Sequence, residues 1–314
     1  MGTSCPCCNR ESITEIEFKK NNINDYEIET LFEDDYNDVE NRIQQLTGFN
    51  PYKPQEIKLN KTPNKIEGTY YQYNKGCILY ALINNGYIDE LLIPDSMKNY
   101  KDRSHKEDQR NDVDLLKKIM SVIDLAQLWV NVGGQCPYLE LDLKEVKEKI
   151  FLVLKEYFTN LDEIPTLPEN EKEERIKSNT DIMKRVSNMT WQTKDYFELL
   201  GNIKIEYTKL IDIREINDNP CIKNGIEKNI IKERDIIKYG RHCFIFEKVL
   251  EENSKKKYYF QDSLGYFRET DKNEKNYNNC DFSKKGYVIA NEDSIFINIK
   301  DPKVYEIGIV KVIV

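Results

Sequence analysis

The spacing of apolar positions changes near residue 200 of this 314-residue chain. Before that point apolar residues recur every three to four positions, and after it they alternate, which marks helices giving way to strands. Leu115, Leu116, Ile119, Ile123, Ala126 and Trp129 predict one helix from about Asp112 to Val130. Val146, Ile150, Phe151, Leu154 and Phe158 predict a second from about Leu143 to Phe158. Shorter helices are expected from Val39 to Thr47 and from Cys77 to a stop at Asn85-Gly86. Another is expected from a Thr193 cap to Leu200, ended by Gly201-Asn202. The charge run Glu169 to Lys177 reads as a solvated helix face.

Strands are predicted over Ile203–Ile211, Arg241–Leu250, Lys256–Asp262, Gly286–Ala290, Ser294–Ile299 and Tyr305–Ile313. Glu251 to Lys255 has the length and polarity of a hairpin connection. Helices first and an antiparallel sheet second define an α+β class. Polar, acidic residues 1–66, broken by Pro51, Pro54 and Pro63, read as an N-terminal extension. The domain proper is expected over residues 67–314, with a helical insertion at about 96–200.

Composition narrows the function classes. A net charge of −8 without a basic patch argues against general binding to nucleic acid or an anionic membrane. No apolar run approaches the ~20 residues needed to span a bilayer. The start of the chain lacks the apolar core of a secretory signal, so a cytoplasmic location is expected, with signal-independent export left open. The eight cysteines are few and uneven for this length, which suits mostly reduced thiols. Cys5, Cys7 and Cys8 could offer three ligands to zinc, but they are nearly adjacent and lack a fourth. No cofactor is expected.

The candidate chemistry lies in two distant motifs. Asn74-Lys75-Gly76-Cys77 runs into an apolar helix, which puts a cysteine at a helix N-terminus. Unpaired N–H groups and a partial positive charge there favour a thiolate. Gly240-Arg241-His242 opens a strand, and Asp262 ends the next one, a hairpin away. The chain has two histidines, and His105 sits among charged loop residues, so His242 is the candidate base. Asp262 is the candidate orienting group. The Cys77 N–H and a side-chain amide from Gln72, or else Asn74, are candidate oxyanion donors. Taken singly, Cys77 and His242 read as core residues and Asp262 as part of a turn. Their order, each on a suitable element, is what points to catalysis. Strand alternation sends Cys243 to the face opposite His242, where a core role is expected.

The segment Gln72 to Leu82, His242, and Asp262-Ser263-Leu264-Gly265 together resemble the papain-like cysteine peptidase superfamily, in its bacterial form. The resemblance covers about residues 68–90 and 238–290. It implies a helical half carrying the Cys helix, packed on a C-terminal antiparallel sheet. It also implies Cys77 as nucleophile, His242 as base, Asp262 as orienting acid and Gln72 as oxyanion donor. Gln72 lies one residue nearer the cysteine than the family's glutamine usually does. The implied activity is thiol-dependent hydrolysis of an amide in a peptide, protein or peptidoglycan substrate. Transamidation or deamidation on the same fold, and a catalytically inactive interaction or regulatory protein, are the alternatives.

Overall fold

A computed structural model of the protein describes residues 33–64, 66–71, 76–98, 112–134, 142–187, 204–240, 242–264, 277, 279–284, 286–299 and 306–313. The first half is helical. Helix α1 spans Glu33–Thr47, α2 Cys77–Asn84, α3 Asp95–Lys98, α4 Asp112–Asn131, α5 Leu143–Glu163 and α6 Glu169–Ser187. The long helices α4 and α5 form where the apolar stripes predict them. The Glu169–Lys177 charge run is the solvated start of α6, which buries Asn179, Ile182, Met183 and Val186 further along. Asp142 caps α5, its carboxylate accepting the Glu145 N–H at 2.7 Å.

The second half forms one seven-stranded sheet: β1 Lys204–Lys209, β2 Ile236–Tyr239, β3 His242–Glu252, β4 Lys255–Asp262, β5 Cys280–Asp281, β6 Tyr287–Asn291 and β7 Ile307–Ile313. The spatial order is β1-β7-β2-β3-β4-β6-β5, and every pairing is antiparallel. The α+β expectation therefore holds for the described residues. Two further helices lie among the strands, α7 Ile222–Glu227 and α8 Ile295–Asn298.

Strand alternation divides the sheet between two apolar clusters. Ile236, Cys243, Ile245 and Val310 face the helical half, where they join Leu79, Leu82, Trp129, Phe151 and Leu154. Ile237, Phe244, Phe246, Phe260, Val288 and Ile309 face the other way, toward Leu210, Ile216, Ile222, Phe296 and Ile297. A sheet covered on both faces needs apolar residues on both, which explains the continuous buried run His242–Glu247 at the start of β3.

The elements differ from expectation in a few places. Ser294–Ile299 is a single helical turn, α8, instead of a strand. The Ser294 hydroxyl accepts the Phe296 N–H at 3.2 Å, and Phe296 and Ile297 are buried. A cap followed by two buried apolar residues outweighs the alternation of Phe and Ile. Strands β2 and β5 and helices α3 and α7 were not predicted; all are short and have too few residues to show a period. Within residues 33–66, Val39, Ile43, Phe49, Ile57 and Ile66 are buried in the helical-side core. The predicted Thr193–Leu200 helix lies outside the described residues, as do His105, Trp191, Cys5, Cys7, Cys8 and Cys136.

Candidate active site

Helix α2 is eight residues long, and all eight are buried. A segment so short has little helical stability alone. Burial holds it, at about 1.5–3 kcal/mol for each fully buried leucine or isoleucine. Gly76 opens it at φ 88°, in the left-handed region that favours glycine. An added Cβ there would also approach Leu125 Cδ2 to 3.1 Å. The chain can therefore turn sharply and place Cys77 at the first helical position.

Side-chain contacts that the sequence reading did not anticipate fix this helix to its surroundings. Asn84 clasps the approach segment: its Oδ1 accepts the Tyr70 N–H at 2.7 Å and its Nδ2 donates to the Tyr70 carbonyl at 3.0 Å. From β4, Gln261 Nε2 donates to the Gly68 carbonyl at 3.0 Å and to Thr69 Oγ1 at 2.9 Å. Arg234 ties the far end of α2 to the His strand. Its guanidinium donates to the Asn84 carbonyl at 2.9 Å and pairs with buried Glu247. Its own carbonyl accepts from Asn85 Nδ2 at 2.8 Å, and its N–H donates to the Phe246 carbonyl at 2.7 Å. Only the polar identity of these residues was visible beforehand. Their partners lie up to 193 positions away along the chain.

His242 and Asp262 meet across the β3–β4 pair. Phe244 is opposite Asp262 in the register, so His242 is its diagonal neighbour on the same face. His242 Nε2 and Asp262 Oδ1 are 2.7 Å apart. The same Oδ1 accepts the Leu264 N–H at 2.9 Å. A carboxylate can only accept, so against ionised Asp262 the imidazole donates from Nε2. In the neutral ring Nδ1 is then the acceptor. The ring is further held edge-on to Phe244, with centroids 4.7 Å apart and planes at 90°.

Cys77 lies within hydrogen-bonding reach of both His242 and Cys243. With Nε2 committed to Asp262, Nδ1 is the ring nitrogen left for the thiol. The expectation of a lowered thiol is reversed. The neighbouring Cys243 and burial push Cys77 well above the ordinary thiol range, while His242 pulls the other way. At neutral pH Cys77 is therefore a protonated thiol. Cys243 does sit in the core as expected, but in contact with Cys77.

The structure thus brings Cys77, His242 and Asp262 together, at 5 %, 2 % and 1 % exposure. Gln72 and Asn74 lie outside the described residues, as do Arg241 and residues 265–276, which flank the site in sequence. Two surface hollows lie away from it. One is beside Asp38, Arg42, Gln45 and Asp162, and the other beside Ile57, Leu59, Val130 and Val132. Among the described residues no group of three His, Cys, Asp or Glu side chains is placed to hold a metal ion, and no helix is long and apolar enough to cross a membrane. Comparison of the chain with known protein families, with curated proteins and with solved structures finds no match.

Proposed function

We propose that the protein is a cysteine-dependent amide hydrolase on a papain-like α+β fold, with a peptide, isopeptide or peptidoglycan stem as substrate. The observation that carries this reading is the position of the His242 ring, between the Cys77 thiol and the Asp262 carboxylate. Cys77 passes its proton to Nδ1 of His242 and attacks the amide carbonyl carbon. The charge that develops on the carbonyl oxygen faces the Cys77 N–H at the start of α2, with Gln72 as the candidate second donor. His242 returns the proton to the leaving amine. It then deprotonates a water that cleaves the thioester and frees Cys77. Asp262 keeps Nε2 protonated throughout and stabilises the imidazolium as it forms.

The test uses an electrophilic amide-mimic probe together with a panel of amide substrates. Wild-type protein should label at Cys77 faster than at Cys221 or Cys280, and Cys77→Ala should lose both labelling and turnover. Equal labelling of the three cysteines would defeat the hydrolase reading. It would favour the second reading, a catalytically inactive papain-like interaction protein. The burial of Cys77 and its raised thiol favour that second reading. Adding amine acceptors and looking for new conjugates separates hydrolysis from transamidation, and ammonia release identifies deamidation.

A further inference from the structure

Among the described residues at the site, Cys243 is a thiol that the hydrolytic cycle does not use. Its place is set by the sheet: it pairs with Lys238 of β2 and points into the helical-side cluster, where Cys77 enters from α2. The two thiols are in side-chain contact, and both are buried. Cys221 and Cys280 have different surroundings. The Cys221 sulfur accepts the Asn224 N–H at 3.4 Å, and the Cys280 sulfur is 3.1 Å from the Ser294 hydroxyl. A thiol beside a base, with a second thiol against its sulfur, has the parts of a peroxide-driven dithiol switch.

We infer that Cys77 and Cys243 form a reversible disulfide when the protein meets a hydroperoxide, and that this bond turns the site off. Cys77 gives its proton to His242, and its sulfur attacks one peroxide oxygen. The O–O bond breaks, leaving a sulfenic acid on Cys77 and a hydroxide that takes the proton back from His242 as water. The Cys243 sulfur then attacks the Cys77 sulfur, an S–S bond of about 2.05 Å forms, and the sulfenic oxygen leaves with the Cys243 proton as a second water. Two thiols and one hydrogen peroxide become one disulfide and two waters. The sulfurs are oxidised and the peroxide oxygens reduced. A dithiol reductant reverses the bond by exchange. The link occupies the nucleophile and stops short of the irreversible sulfinic acid. Its consequence for activity rests on the hydrolase reading; its formation does not.

The test treats reduced full-length protein with one equivalent of hydrogen peroxide. Free thiols are then alkylated in acid, and the protein is digested without reduction for mass spectrometry. The expected product is a Cys77–Cys243 linked peptide pair, two hydrogens lighter than the reduced pair and absent after dithiothreitol. In Cys243→Ala, Cys77 should instead be captured by dimedone and then proceed to a sulfinic acid that dithiothreitol does not rescue. The inference is overturned if wild-type Cys77 stays alkylatable, goes directly to sulfinic acid, or links to another cysteine. It is also overturned if Cys243→Ala keeps reversible protection of Cys77. Amide hydrolysis by reduced protein is measured separately. A linked pair without hydrolysis removes the enzyme reading and leaves the switch, whereas hydrolysis without a linked pair does the reverse.

Discussion

Asp262 and Asp124 are buried to similar depths, 1 % and 4 % exposed, one at the end of β4 and the other inside α4. Asp262 is held by a histidine ring nitrogen and a backbone N–H, both donating to one oxygen. Asp124 accepts from the Ser96 hydroxyl at 2.6 Å. Desolvation raises its carboxyl to about 7, with Asp95 and Glu40 adding to the rise and Ser96 and Lys147 opposing it. The first carboxylate can keep its charge because its neighbours donate to it, and that charge can act on a third group. The second gives up its charge near neutral pH, and among the described residues its hydrogen-bond donor is a serine hydroxyl. Burial alone thus does not make a carboxylate functional; the donors around it decide what it can do.

The largest effect should come from removing the Asp262 carboxylate. Asp262→Ala leaves the imidazole free to take the wrong tautomer, and turnover of any amide substrate should fall about 10²–10⁴-fold. Asp124→Asn should leave that rate in place. Comparable losses in both variants, measured as kcat/KM, would break the contrast.

A thermodynamic difference comes next. Between about pH 4 and 7 the unfolded chain has Asp124 ionised, while the folded chain keeps it protonated. The folded state then binds more protons, so this group's contribution to stability falls as pH rises through that window and is level above it. Asp124→Asn should remove the slope and stabilise the protein at pH 8, with a ceiling of about 4 kcal/mol from 1.4 kcal/mol per pH unit. Urea unfolding at pH 5 and pH 8 measures it, and an unchanged slope in the variant would contradict the assignment.

The smallest effect sharpens the same point. Ser96→Ala removes this hydroxyl donor and should cost about 1–3 kcal/mol. The loss should be greater at pH 8 than at pH 5, because the hydroxyl supports the charged form of Asp124. Equal losses at the two pH values would mean that Ser96 contributes packing alone.

The two aspartates were also unequal in the sequence. Asp262 was visible because a hairpin of readable length places it beside the strand that His242 opens. Asp124 lies within a helical stripe, and nothing local distinguishes it from a solvated carboxylate on the same helix. The clasp of Asn84 on Tyr70 and the Arg234–Glu247 pair were hidden for a related reason. Each depends on segments that meet only when α2 docks on the sheet. Cys243 shows the limit of strand alternation: alternation put it in the core, but only the docking of α2 put Cys77 against it. Ser294 carried a cap signal that outweighed the apparent strand after it, because a single buried turn needs just two apolar residues.

The sequence by itself determined the change from helices to strands, the stop at Asn85-Gly86, and the cysteine, histidine and aspartate as a set of candidates. These follow from periodicity, backbone sterics and short loops, which act over a few residues. Tertiary structure alone decided that His242 reaches both Cys77 and Asp262, that Cys243 joins Cys77, and that the thiol is raised instead of lowered. Those outcomes depend on which side chains share a buried space, and burial is set by segments far apart along the chain.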